Sequence, residues 1–78
     1  MNTNLTNNQH SEQFVYILKC NDGKTYTGCT SNIAERIERH NKGYVPATVN
    51  RRPIILITYI SFNDKHKAFE FEKYLFVG

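Results

Sequence analysis

The chain has 78 residues, a formal net charge of +3 and a sequence pI of about 9.0. This length limits it to one domain, and no apolar run is long enough to span a bilayer. The mild positive charge suits an anionic partner, although it is also ordinary for a soluble protein surface. Residues 1–13 are almost all polar, so we expect a flexible tail there and a folded domain over residues 14–78.

The two cysteines, Cys20 and Cys29, indicate the compartment. The polar N-terminus lacks the apolar stretch of a signal peptide, so we expect free thiols in a reducing cytoplasm. Zinc binding by these cysteines with His40 is the weaker interpretation, because the sequence has none of the close C-x-x-C spacing of known zinc sites.

A β-hairpin is predicted over residues 14–28, with an N-D-G turn between two strands. A three-residue loop with Gly23 in the left-handed conformation would pair Leu18 with Tyr26. Tyr16 and Tyr26 would then lie on one face of the sheet. A two-residue turn would instead place the two tyrosines on opposite faces. We favour the three-residue loop.

A helix is predicted from Asn32, where Asn32 and Glu35 resemble a capping box, to about residue 41, with Gly43 as the left-handed C-cap. Arg36 and His40 are four residues apart and share a face beside the apolar stripe. We therefore expect their charged or polar ends at the rim of the core. The stripe itself is predicted to consist of Ile33, Ala34 and Ile37.

The remaining elements are a strand over residues 54–60 and a helix from Lys65 to about Phe76. The strand is apolar on both faces, so we expect it to be covered on both sides. Asn63 and Asp64 are candidate caps for the helix.

Glu72 lies inside the predicted buried arc of this last helix, whereas Glu70 lies on its solvent side. Carboxylates are seldom buried unless they are paired or bind a metal. One interpretation is a salt bridge from Glu72 to a basic residue at the rim of the core, such as Arg36. The other is a ligand for Mg²⁺, which keeps most of its waters and shares a substrate phosphate. The other residues of the arc are Ala68, Phe69, Phe71, Leu75 and Phe76.

Five short elements occur in order between residues 14 and 75. They are V-Y-I at 15–17, Y-T-G at 26–28, Arg36, His40 and Glu72. This series resembles the GIY-YIG nuclease superfamily, and more narrowly its small stand-alone bacterial members. The resemblance implies an α+β fold, a three-stranded antiparallel sheet flanked by helices, which agrees with the order of elements above.

The resemblance also implies an activity, the hydrolysis of phosphodiester bonds with a bound Mg²⁺ or Mn²⁺. Glu72 would hold the metal ion and Arg36 would contact the scissile phosphate. Tyr16 or Tyr26 would activate the attacking water, and His40 would support that network. We favour Tyr16 as the base. The tyrosine pair could also be ordinary packing on a half-buried face.

Nucleic acid is the expected partner, and DNA is favoured over RNA. The alternative is a nucleic-acid-binding module that has the same fold and cuts nothing, or a small interaction domain with structural tyrosines. The sequence leaves a monomer and a homodimer open. The residues expected to contact nucleic acid are Gly28, Arg39, Thr48, Arg51 and Arg52.

The chain departs from the family pattern at two places. V-Y-I lacks the glycine for which the family is named. Relatives usually carry a lysine at the position of Phe76 and continue with a further basic segment, whereas this chain stops at Gly78. We therefore expect a domain shortened at its C-terminal end, with consequences for stability and nucleic-acid binding.

Overall fold

The computed structural model describes residues 12–77, with side chains up to residue 75, and contains a three-stranded antiparallel sheet and two helices. The elements are β1 (Gln13–Lys19), β2 (Thr25–Thr30), α1 (Ile33–Asn41), a 3-10 turn (Val49–Arg51), β3 (Ile55–Phe62) and α2 (Lys65–Val77). The strand order is β2-β1-β3, so the central strand is β1. This arrangement confirms the α+β fold predicted from the sequence.

The hairpin of β1 and β2 has the predicted register. Leu18 pairs with Tyr26 and Tyr16 pairs with Gly28. Gly23 has a φ of 83°, and its N–H donates to the carbonyl of Cys20 at 3.0 Å. The three-residue loop is thus confirmed, and Tyr16 and Tyr26 lie on the same face.

Capping side chains start both helices, as predicted. The Asn32 side chain accepts a hydrogen bond from the N–H of Glu35 at 3.1 Å, and the Asp64 carboxylate accepts one from the N–H of His66 at 2.8 Å. α1 ends at Asn41, and Gly43 follows with a φ of 82° and donates its N–H to the carbonyl of His40 at 3.1 Å. Each of these contacts satisfies a backbone group that a helix terminus otherwise leaves unpaired.

The face of α1 that points inward differs from the predicted stripe. Ile33 and Ile37 are partly buried, and His40 is completely buried. Ala34 is exposed, so its place in the predicted stripe is wrong. The reason is geometric: residue 34 is 100° away from Ile33, whereas residues 37 and 40 return to the same side of the helix. His40 therefore lies inside the core and not at its rim.

β3 is an edge strand, and the expectation that both its faces are covered is wrong. It pairs with β1 alone, and the exposed fractions are 64% for Ile55, 52% for Ile57 and 51% for Tyr59. The reason is that α2 packs mainly against β1 and β2. Much of the apolar surface of β3 is left open within residues 12–77.

α2 carries the acidic residue whose position the sequence singled out. Ala68 is fully buried, Glu72 is partly buried and Glu70 is exposed, which confirms the predicted orientation of the helix. Phe69 was expected in the buried arc, but it is 44% exposed because it lies at the margin of that arc. The side chain of Phe76 lies outside the described residues.

Two residues of the predicted tail have described contacts. Gln13 belongs to β1, and the carboxylate of Glu12 accepts a hydrogen bond from the hydroxyl of Ser61 at 2.7 Å. The rest of the predicted tail, residues 1–11, lies outside the described part. No helix within residues 12–77 has the length and apolar character needed to cross a membrane.

Candidate active site

Hydrogen bonds join three fully buried side chains, one from β1, one from α1 and one from the loop that follows α1. The hydroxyl of Tyr16 and Nε2 of His40 are 2.9 Å apart. Nδ1 of His40 and Oγ1 of Thr48 are 2.8 Å apart. All three residues are 0% exposed. Thr48, which the sequence placed among the nucleic-acid contacts, therefore offers no surface to a ligand here and instead supports His40.

Gly28 leaves room for the phenol of Tyr16. A β-carbon at position 28 would collide with the ring and the hydroxyl of Tyr16, its partner across the two strands. The sequence predicted a close approach at this glycine by a ligand. In the structure the group that approaches is a side chain of the protein itself.

Gly28→Ala is therefore expected to destabilise the fold by about 1–3 kcal/mol, because the added methyl group overpacks the site around Tyr16. Urea unfolding measures this change. Thr25→Ala, at an exposed position of the same strand, is the matched control. An unchanged midpoint for Gly28→Ala would contradict the packing described here.

Tyr26 is the tyrosine that faces open space. Its ring centroid is 6.5 Å from that of Tyr16 and 5.3 Å from that of His40. It is partly exposed, and it lines a cavity of about 370 Å³ together with Thr27, Glu72 and Lys73. A molecule in this cavity can contact the phenol of Tyr26, whereas Tyr16 is enclosed.

The environment of Tyr16 disfavours its ionised form. Burial, with a smaller contribution from Tyr26, raises the pKa of Tyr16 to about 12. Hydrogen bonding and charge from Arg36 act in the opposite direction, and the negative charge of Glu72 raises the pKa of Tyr16 further. Arg36 and Glu72 thus both act electrostatically on Tyr16, and Glu72 also lines the same cavity as Tyr26.

Arg36 has an unsatisfied donor at this region. Its Nε is buried and has no hydrogen-bond partner among the described residues. A buried donor without a partner is costly, and such groups are rare in native structures. A planar guanidinium suits the oxygens of a phosphate. Arg36 thus fits the role of a phosphate contact that the family resemblance implies.

Within residues 12–77, Glu72 forms no ion pair. Burial raises the pKa of its carboxyl, and no ion pair joins it to Arg36 in the described part of the chain. The salt-bridge interpretation is therefore wrong for these residues. A desolvated carboxylate that lines an open cavity fits a divalent cation.

The donor set around Glu72 favours a hydrated ion over zinc. Among residues 12–77, no three His, Cys, Asp or Glu side chains are grouped to hold a metal. Cys20 and Cys29 are both free thiols. Burial, and then the charge of Glu72, raises the pKa of the Cys29 thiol. A cation with one protein carboxylate, several waters and a substrate phosphate is the coordination typical of Mg²⁺.

His40 is held in its neutral form. Burial lowers its pKa, and the positive charge of Arg36 lowers it further. The unfolded chain, with a histidine pKa of about 6.5, therefore binds the proton first as the pH falls. The stability that neutral His40 contributes is present above that value and is lost as the pH falls below it.

We accordingly expect the thermal midpoint of unfolding to decrease as the pH is lowered from 7 to 5. His40→Gln should flatten this dependence, whereas His66→Gln, at an exposed position in α2, should preserve it. Thermal melts at a series of pH values measure the slope. An equal slope in His40→Gln would show that another group is responsible.

The other arginines differ in their freedom to bind a phosphate. Nε of Arg51 forms a 2.7 Å ion pair with Asp22, whose pKa it holds low. Arg52 donates to the carbonyls of Val49 at 3.0 Å and Asn41 at 3.3 Å. Arg39 is exposed near the end of α1. Arg51 and Arg52 thus have structural contacts that the sequence did not indicate.

Residues 12–77 match the GIY-YIG catalytic domain family over their whole length. The chain belongs to the GIY-YIG family. The family resemblance drawn from the series of short sequence elements is therefore confirmed.

The similar members of the GIY-YIG family are small bacterial proteins. A UPF0213 protein of Pediococcus pentosaceus is 43% identical over 60 residues, which are 76% of this chain and 63% of that protein. One from Desulfotalea psychrophila is 46% identical over 70% of this chain and 52% of its own length. The chain thus spans between half and two thirds of the length of these two relatives.

A solved structure has the same GIY-YIG architecture. The solution NMR structure of a UPF0213 protein from Bacillus halodurans has a TM-score of 0.53 and 35% sequence identity. The comparison covers 82% of this chain and 69% of that one. The fold is therefore shared with a stand-alone member of the family.

Two features of the site were missed from the sequence. The role of Thr48 beside His40 depends on a contact between residues that are eight positions apart in a loop of irregular structure. Lys73 lines the cavity beside Glu72, although adjacent residues in a helix point in directions about 100° apart. A neighbouring lysine in a half-exposed helix carries no distinctive pattern, so only the structure could place it there.

Proposed function

We propose that this protein is a metal-dependent endonuclease that hydrolyses phosphodiester bonds in nucleic acid, most readily in DNA. The observation that carries the proposal is a partly buried carboxylate, Glu72, that forms no ion pair within residues 12–77 and lines the same cavity as Tyr26. Arg36, with its unsatisfied donor, adjoins the same region. Membership of the GIY-YIG family supports a nuclease reaction for such a site.

Glu72 would hold the Mg²⁺ or Mn²⁺ ion in this proposal. When bound, the ion would supply positive charge to the phosphoryl oxygens and to the leaving oxygen. Removal of the desolvation penalty at Glu72 is a second consequence of binding, because the carboxylate would gain a counter-charge. The protein should therefore be more stable with the ion than without it.

Arg36 would bind the scissile phosphate. Negative charge accumulates on the phosphoryl oxygens in the transition state, so a fixed guanidinium stabilises that state more than the ground state. The unsatisfied Nε of Arg36 supports this role, because it leaves the guanidinium incompletely paired within residues 12–77.

Tyr26 would accept the proton of the attacking water, which reverses the preference for Tyr16 drawn from the sequence. Tyr26 lines the cavity, whereas Tyr16 is 0% exposed and has a pKa raised to about 12. Tyr16 and His40 would hold the Tyr26 ring in place through their ring contacts.

A nicking assay tests the proposal. The substrates are supercoiled plasmid, labelled single-stranded and branched DNA, and RNA, each with Mg²⁺, Mn²⁺ or EDTA. We expect cutting that requires the metal ion and that occurs on DNA. If only RNA were cut, the substrate would be RNA and not DNA. Folded protein that binds DNA without cutting any substrate would replace the nuclease with a binding module of the same fold.

A further inference from the structure

We propose that Thr48 is a positioning residue for this reaction, because its hydroxyl holds the His40 ring with Nε2 turned towards the Tyr16 hydroxyl. The inference rests on the proposed function and extends it to a loop residue outside the tyrosines, arginine and carboxylate of the site. It concerns the orientation of His40, so it can be tested by spectroscopy as well as by activity.

The geometry leaves His40 a single orientation. Each ring nitrogen has one partner, Tyr16 at 2.9 Å and Thr48 at 2.8 Å, and all three side chains are fully buried. A half-turn of the ring would replace both nitrogens with carbon atoms and break both hydrogen bonds. Buried polar groups without partners are costly, so Thr48 and Tyr16 together fix the ring.

The backbone of Thr48 is held in place by hydrogen bonds within its loop. The N–H of Thr48 donates to the carbonyl of Val45 at 3.0 Å, and its carbonyl accepts from the N–H of Arg51 at 2.8 Å. The side chain of Arg51 forms the ion pair with Asp22 in the hairpin turn. The loop that carries Thr48 is thereby attached to the strands that carry the tyrosines.

The orientation of His40 bears on both tyrosines. Its ring meets those of Tyr16 and Tyr26 edge to face, with centroids 5.7 Å and 5.3 Å away. A ring released from Thr48 would no longer hold these contacts. Small errors in the position of a group beside the reacting atoms have large effects on rate, so Thr48 acts on the reaction through His40.

The test compares three variants at position 48 with a control. Thr48→Val and Thr48→Ala remove the hydroxyl with different changes in volume, and Thr48→Ser retains it. Thr30→Val is the matched control, because Thr30 is also buried but its hydroxyl contacts the backbone of Asn32. The readouts are the ¹⁵N NMR signals of the His40 ring, kcat and KM for plasmid nicking, and the thermal midpoint.

We expect Thr48→Val and Thr48→Ala to shift or average the two ring-nitrogen signals of His40. Their kcat should fall about 10-fold to 100-fold with KM little changed. Thr48→Ser should restore the signals and most of kcat. Thr30→Val should lower the thermal midpoint without altering the His40 signals or kcat, which separates positioning from a merely structural role.

The inference is overturned if a folded variant without the hydroxyl keeps the His40 signals of the wild type, or if Thr30→Val alters them equally. It is also overturned if the signals change while kcat does not. Should the wild-type protein cut no substrate, the proposed function fails by itself. The NMR comparison would then still decide whether Thr48 orients His40.

Discussion

Glu72→Ala is expected to abolish metal-dependent cleavage, with a loss of about 10³-fold or more, and to leave stability unchanged or raised. The loss follows because the ion that balances charge at the phosphate would have no protein ligand. Stability should be kept or raised because the substitution removes a partly buried carboxylate that forms no ion pair within residues 12–77. Nicking assays and thermal melts with and without Mg²⁺ measure the two effects.

The contribution of Glu72 to folding stability depends on pH. Burial raises the pKa of Glu72 above its value in the unfolded chain. The folded state therefore binds the proton more tightly, and this contribution to stability is present at low pH and is lost as the pH rises through the folded pKa. At neutral pH the ionised carboxylate opposes folding, so Glu72→Ala should be at least as stable as the wild type.

Glu70→Ala is the matched control, because Glu70 lies on the exposed side of the same helix. It should retain cleavage and the increase in thermal midpoint with Mg²⁺. If Glu72→Ala unfolds the protein and Mg²⁺ has no effect on the wild type, Glu72 is structural and the nuclease proposal is wrong.

Tyr26→Phe is expected to lower kcat by about 10²-fold to 10⁴-fold, the usual contribution of a general base. Its stability should be close to that of the wild type, because Tyr26 is partly exposed and the ring is retained. Tyr16→Phe should behave differently. It leaves the buried Nε2 of His40 without its partner, at a cost of about 1–3 kcal/mol.

Single-turnover nicking and urea unfolding of both variants separate these roles. A loss of cleavage in Tyr16→Phe with full stability, together with near-normal cleavage in Tyr26→Phe, would assign the base to Tyr16. That result would favour the preference drawn from the sequence over the one that exposure and pKa support.

Local signals in the sequence were sufficient for most of the secondary structure. The loop before Thr25 and the left-handed Gly23 were predictable because only glycine adopts that conformation without strain. The register then followed, since a hairpin loop fixes which residues pair. The position of Glu72 inside the arc of α2 was predictable from helical periodicity alone, because its neighbours in that arc are apolar.

Contacts between distant segments were decided only by the tertiary structure. The sequence shows that β3 is apolar, but not that it is an edge strand, because coverage depends on where α2 packs. It shows a threonine in a loop, but not that the Thr48 hydroxyl reaches His40. It presents two tyrosines on one face, yet only packing buried Tyr16 and left Tyr26 on the cavity. Periodicity and turn chemistry are local, whereas burial and pairing depend on every element that surrounds a residue.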